Sequence, residues 1–407
     1  MGLSVKAGSE PLRTTAGSQS VTGVGFQPKA ILFVCGFRTA TGEHAGAYLS
    51  WGAATGASNE WAINGSSDNG AVSGQTQQTA RADRMCIINN TSGTTVLAVE
   101  FTSMDSDGFT INVITNTGAA AYLLQYFCIG GTDITNATAG TVDLTTSGAT
   151  QAVTGLGYQP DCMLFGNIGG TTWPFTGAHL IFGLGAASGS SEEAASEWFD
   201  RDGNTNMSGN SWQRSDAIAL ESTTGNVEIM RSSLASFDSD GFTVGKDDLP
   251  GATQALGYLA LKGAQFHVGV ETSVTTTPAT KATTGVGFQP SGLVVLGKMA
   301  ATSTTPQTHG QMCIGFADGT NNHATSIISQ GSGGTSNSST SIKSDKCALC
   351  ANIDEAVAAA ADLASFDSDG FTLDWTTVDA TSREFFYVAI GATAAPPADF
   401  LPKVMVF

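Results

Sequence analysis

Two phrases recur three times along the chain, in the same order and at nearly the same separation. The first is Thr22-Gly23-Val24-Gly25-Phe26-Gln27-Pro28, returning as Thr154-Gly155-Leu156-Gly157-Tyr158-Gln159-Pro160 and Thr284-Gly285-Val286-Gly287-Phe288-Gln289-Pro290. The second is Asp105-Ser106-Asp107-Gly108-Phe109-Thr110, returning as Asp238-Ser239-Asp240-Gly241-Phe242-Thr243 and Asp367-Ser368-Asp369-Gly370-Phe371-Thr372. Unrelated phrases keeping one beat imply a chain written three times. A period of roughly 130 residues is far above the ~20–50 of a solenoid unit and long enough to bury a core without disulfides or metals. We therefore expect three tandem domains, 1–131, 132–264 and 265–392, each closing its own core, followed by a tail, 393–407, whose apolar end is expected to dock on its own chain or on a neighbour.

Gly before and Pro after the first phrase's aromatic residue specify a turn, because one tolerates positive φ and the other cannot donate to a ladder. A nearly continuous apolar run follows in each copy, such as Ala30-Ile31-Leu32-Phe33-Val34, which suits a strand covered on both faces. Glycine-rich strands come next, at Trp51-Gly52-Ala53-Ala54, Phe182-Gly183-Leu184-Gly185 and Ile314-Gly315-Phe316-Ala317, and lead into polar loops of diverging character. The back half reads as a hairpin about the Asp-Gly pair, closing on an aromatic strand that ends in glycine. Asp354–Asp362 has helix-forming composition, but its place in the repeat matches Thr95–Phe101, so it is expected to be a strand. Glu192–Glu197 is read as at most two helical turns in a loop. The sum is an all-β chain of three antiparallel β-sandwiches, jelly-roll-like, with seven to nine strands each.

Composition bounds the partners. Only 13% of residues are charged and the net charge is −18, spread as −2, −10 and −6 over the three copies. That balance lacks the clustered Lys and Arg of a nucleic-acid binder and disfavours anionic membranes. No apolar run approaches the ~18 residues of a membrane span, and the first residues carry no hydrophobic signal core. Seven cysteines, an odd number at positions that do not repeat, read as free core thiols of a reducing cytosol.

Asp-x-Asp-Gly stops short of a calcium loop, lacking the terminal Glu, and reads as a tight turn whose Asp side chains cap amides. Cys347-Ala348-Leu349-Cys350 has no second ligand pair for zinc. His44, His179 and His309 fall at related positions, between the apolar run and the Gly-rich strand, with no nucleophile beside them. Trp61, Trp198 and Trp212 lie in or beside Gly/Ser/Asn-rich loops, where they would stack on a sugar ring, anchor a protein interface or cap the sandwich. No catalytic, metal or cofactor-binding residue is nominated, and no enzyme activity is expected.

The combination of Gly-Phe-Gln-Pro with an apolar strand, Asp-x-Asp-Gly-Phe-Thr and a final aromatic strand ending in Gly resembles a repeated domain of tailed-bacteriophage virion structural proteins, of the head-decoration or fibre type. The resemblance spans all three copies but rests on turn and core residues, so no binding residue is carried over. It implies a virion protein assembled in the host cytoplasm. The role expected is a capsid decoration (cement) protein whose partners are the major capsid protein or other virion proteins, with self-association into trimers a further option. The alternative is a fibre or adhesion protein recognising a cell-surface glycan.

Overall fold

A computed structural model describes residues 2–223, 227–248, 251–276, 279–303 and 305–394. The expected docking tail therefore lies almost wholly outside the described residues. All regular structure among those residues is β-strand. The strands form six antiparallel sheets, three of seven strands and three of four, arranged as three pairs with the same internal order. Within each pair the first strand ladders with the last in the larger sheet, and the second with the next-to-last in the smaller one. In the first pair these are Leu3–Pro11 with Leu123–Gly131 and Gly17–Thr22 with Gly108–Asn116. The remaining strands follow as consecutive hairpins. Each unit thus holds eleven strands rather than seven to nine, because short segments such as Cys86–Asn89 complete the smaller sheet.

The two recurring phrases share a beat because they touch. Asp107 accepts the backbone N–H of Gly23 at 3.1 Å and of Gly25 at 2.6 Å. Asp240 does the same for Gly155 and Gly157, and Asp369 for Gly285 and Gly287. The Gln of each first phrase donates to the carbonyl just before the hairpin turn, as Gln27 does to Met104 at 2.8 Å. Gly23 and Gly25 have φ near +81° and +88°, a region closed to most L-residues. The amides these glycines expose are the ones the Asp carboxylate caps. The second Asp of each hairpin therefore caps amides as expected, but those of the distant Gly-x-Gly turn and not of its own.

Two local expectations are corrected. Glu192–Asp200 is a strand, not a helical turn, paired along its length with Leu180–Gly189; burial of Ala194, Ala195 and Trp198 overrides the helix propensity of Glu and Ala. The Gly-rich strands also align two residues further along in the second copy than phrase-matching gave. Gly52, Gly185 and Gly315 are the equivalent positions: a Cβ there would fall 2.2, 1.9 and 1.9 Å from the carbonyl oxygens of Met85, Ile218 and Cys347. These glycines let the two sheets of each pair approach. Ala356–Asp367, by contrast, is the strand its place in the repeat required.

Each unit closes one core of its own and shares a second with the others. One core lies between the two sheets of each pair and is made within a single copy, as with Phe33, Phe109 and Cys128 in the first. A further core draws on all three copies and includes Trp51, Trp61, Phe127, Phe182, Trp198, Phe316 and Phe386. It forms where the larger sheets face one another. Each larger sheet also takes its seventh strand from the next unit. Phe175–Gly177 pairs with Thr76–Arg81, Gln307–Thr308 pairs with Asn210–Arg214, and Gly42–Ala45 pairs with Ser338–Lys343. Second is laid on first, third on second, and first on third, so the arrangement closes into a ring. A matching set of hydrogen bonds follows the same cycle: Ala139 N–H to Thr55, Val268 N–H to Ser188 and Ala7 N–H to Asp318, at 3.0, 2.9 and 3.0 Å. Covering an edge strand with a neighbour's arm removes the unpaired ladder that would otherwise invite aggregation.

Candidate functional site

The strands that follow the Gly-rich ones deliver three loops, 68–75, 201–209 and 330–337, to one end of the ring. Just below them the equivalent residues Ser67, Asp200 and Ser329 meet. Ser67 donates to Asp200 Oδ2 at 2.9 Å, the Ser329 hydroxyl lies near the same carboxyl, and Trp198 Nε1 donates to Ser329 Oγ at 2.9 Å. Three residues in matching positions can converge only on the axis that relates their units. Burial, the largest influence, raises the Asp200 carboxyl to about 6, against the pull of the two serine hydroxyls and the Arg201 N–H.

Above this hub the loops interlace as a crown. Gly74 and Asn204 join the first and second loops, Met207 and Gly333 the second and third, and Gly70 and Ser336 the third and first, by backbone hydrogen bonds of 2.8, 2.9 and 2.8 Å. Side chains add Thr76 N–H to Asp202 and Ser338 N–H to Asn69. The crown's surface is Ser, Asn, Thr and Gly with few charges, and Val72 stands 77% exposed on it. Two clefts open at its seams. One, of about 310 Å³, lies between Asn204, Asn206 and Thr308. The other, of about 540 Å³, is lined by Asn69, Gln330, Asn337, Asp354 and Glu355. A third cavity, of about 400 Å³ with an apolar wall of Phe175, Ile181 and Phe199, sits beneath the arm joining the first two units.

The residues singled out in the sequence are not brought together here. Trp61 and Trp198 are wholly buried and Trp212 nearly so, which corrects their reading as loop platforms for sugar. Their polar neighbours in sequence are buried too, since these segments are strands inside the ring. The histidines do occupy related places, on or beside the exchanged arms, and act as hydrogen-bond partners of loop backbone: His179 Nδ1 accepts from Asp202 N–H and His309 Nδ1 from Gly331 N–H. Cys347 and Cys350 are core residues, and Cys350 donates to the Met299 carbonyl at 3.1 Å. Among the described residues no three His, Cys, Asp or Glu side chains converge as metal ligands.

Sequence reading missed a set of buried carboxyls. Glu60 and Glu193 are equivalent and accept the backbone N–H of Phe101 and Leu234 at 2.7 and 2.6 Å; in the third unit Asn322 does the same for Leu363. Burial lifts Glu60 to about 8 and Glu193 to about 7. Glu197 and Glu221 form a fully buried pair found only in the second copy, where the first has Asn64 and Ile88 and the third Ser326 and Cys350. Burial lifts Glu197 to about 7 and drives Glu221 well above the carboxylate range, helped by the charge of Glu197. Aligning the three units was the signal available: the positions of Glu60, Glu193 and Asn322 and of Asn64, Glu197 and Ser326 stay polar in all three while their neighbours change.

Comparison of the chain with models of known families, with characterised proteins and with solved structures returns no match.

Proposed function

We propose that the three sheet pairs are three copies of one jelly-roll-like domain (1–131, 132–264, 265–392) and that the chain is a non-enzymatic virion structural protein, a capsid decoration protein that binds an assembled shell and stabilises it. The observation carrying this reading is the closed ring. One chain presents three near-equivalent surfaces about an axis, which suits a site of local threefold symmetry or three neighbouring lattice positions. The weakly charged crown fits binding by area and shape rather than by charge steering. A ligand that binds only the assembled shell stabilises it by mass action. The resemblance of the turn phrases to phage head-decoration and fibre domains supports the same setting.

Mixing the purified protein with shells lacking it, counting bound copies and following shell melting tests this role. Saturable binding at a fixed copy number with a raised melting temperature is expected. Failure to bind shells would sink it. The glycan-binding reading retains one supporting observation, the Asn-, Gln- and Thr-lined seam clefts. A glycan array would test it, although burial of the tryptophans removes the aromatic platforms on which it first rested.

A further inference from the structure

The arm Phe175–Gly177 covers a cavity of about 400 Å³ where the second unit meets the first. One buried polar side chain is turned into it. Gln78 is 4% exposed and lies opposite Gly177 in the ladder between the arm and Thr76–Arg81. Its Oε1 accepts two backbone N–H groups, from Gly169 at 3.0 Å and from Ile181 at 3.2 Å. Those bonds fix which end of the amide is oxygen. They hold Nε2 between Gly169 and Gly177, where a Cβ would come within 3.3 and 3.4 Å of it. Both glycines line the cavity. Among the described residues the Nε2 donors have no acceptor. A donor held in place without a partner is a group that a bound acceptor would satisfy.

The other two seams are closed differently at this position. Ser211 and Thr340 are the equivalents of Gln78. Their hydroxyls bond the arm's own backbone, Ser211 at the His309 carbonyl at 3.0 Å and Thr340 at the Gly46 carbonyl at 2.8 Å. Gln78 reaches across to Gly169 and Ile181 instead, beside the apolar wall of Phe175, Ile181 and Phe199. Two more cavity residues add a donor and a positive charge. His179 Nδ1 accepts the Asp202 N–H at 3.2 Å, so the neutral ring carries its proton on Nε2. Arg201 borders the cavity, while the neighbouring Asp202 turns its carboxylate to the Thr76 N–H at 3.1 Å.

We propose that this cavity binds a small apolar carboxylate, an aryl- or alkyl-alkanoate, with its carboxylate on Gln78 Nε2 and its hydrocarbon against Phe175, Ile181 and Phe199. The volume falls within the ~300–1,000 Å³ of small-molecule sites, which are built in this way, from apolar walls and a few fixed polar groups. Donors and a positive charge favour an anionic acceptor over a neutral amide and disfavour an ammonium. Gln78 belongs to the first unit and the apolar wall to the second, so a bound ligand also stabilises the seam. The site is independent of any shell.

The test titrates the full-length protein with hydrocinnamate, with hydrocinnamamide and with phenethylamine, by calorimetry, and soaks crystals with the acid. Saturable binding of the acid is expected, with a raised melting temperature and difference density for its carboxylate on Gln78 Nε2. The amide should bind about tenfold more weakly or worse, and the amine not at all. Gln78→Leu should weaken the acid by about 10–100-fold, the loss of a hydrogen bond to a charged group, and Phe175→Ala several-fold. Equal binding of acid and amide, a folded Gln78→Leu variant that binds as wild type does, or no binding of the acid at millimolar concentration would overturn the proposal. Density for the acid elsewhere would overturn it too, so the wild-type protein decides the matter even where Gln78→Leu fails to fold.

Discussion

The seam between the first and second units and the seam that closes the third onto the first occupy the same place in the ring, yet they are built by different chemistry. At the first, Trp61 lies over a floor made by Gly166 and Gly257, where a Cβ would come within 2.7 and 2.6 Å of the indole. Its Nε1 donates to the Tyr258 carbonyl at 2.8 Å. At the closing seam the position of Trp61 is held by His323, and the two glycines are replaced by Val34 and Gln125. Gln125 donates to the carbonyls of Ala324 and Lys343 and accepts from Thr325 Oγ1 at 2.9 Å. The middle seam has Ala194 with Leu296 and Phe386, so the bulk sits on the other partner. Because bulk on one side matches space on the other differently at each seam, the units fit in one cyclic order. A symmetric ring would have no such lock. Three seams at matching places are thereby three specific interfaces.

The largest effect should come from breaking the bulk lock. Trp61→Ala removes a fully buried indole from the shared core and should cost about 3–5 kcal/mol, measured by denaturant unfolding. Gly257→Leu should be comparably damaging alone but far less so in combination with Trp61→Ala, because the leucine would refill the space. Simple additivity in that double-mutant cycle would break the idea that the two sides are matched.

The second contrast sets the acidic second unit against its neighbours. An acid whose folded pKa is raised binds its proton more tightly when folded, so it adds stability below that value and loses it as pH rises from the unfolded value, near 4.3, through the folded one. For Glu193 and Glu197 that window ends at about 7, for Glu60 at about 8. Thermal stability should therefore fall between pH 5 and pH 8. Glu197→Gln should flatten the slope and raise stability at pH 8 by on the order of 1–3 kcal/mol, since one buried charge is no longer demanded. Asn322, already an amide, marks the unit in which this slope is not built in at that position. A profile that rises across the same window would refute the assignment.

The closing seam should respond to lost hydrogen bonds instead of lost volume. Gln125→Leu keeps much of the side chain's bulk but strands the Lys343 carbonyl and the Thr325 hydroxyl, an expected loss of about 1–3 kcal/mol. Thr325→Val in the same background should recover part of it. No recovery would mean that the cost is one of shape and that the two seams differ less than their contacts imply.

Where the sequence could be read and where it could not follows from the range of the interactions. The Gly-x-Gly and Asp-x-Asp-Gly corners were legible because Gly, Pro and Asp carry local turn signals and each copy repeats them, whereas the contact of Asp107 with Gly23 and Gly25 across 84 and 82 residues was not. The ring was not legible. Its arms are only two to four residues long, too short for an alternation pattern. The strands they cover, such as Ser338–Lys343 and Thr76–Arg81, are Ser-, Thr- and Gln-rich yet buried. Polar composition that reads as loop is here the inner surface of an assembly, where hydroxyls and amides pair across units. The same inversion hid the tryptophans, whose neighbours Glu60, Asn64 and Glu197 look like surface residues and lie inside.

The smallest of these effects probes the hub itself. Of the three residues that meet on the axis, only Asp200 is ionisable, and Ser67 gives it a hydrogen bond at 2.9 Å. Ser67→Ala removes one donor to a buried acid and should cost about 1 kcal/mol, with the loss larger at pH 8, where the carboxylate needs its donors, than at pH 5, where it is protonated. Asp200→Ser would make the hub three serines. It should remove that pH dependence while leaving the ring assembled, because the crown's backbone hydrogen bonds and the exchanged arms remain. If Asp200→Ser instead opened the ring, seen as an increased radius in solution scattering, the axis would be held by its single acid, and the seams would be secondary to it.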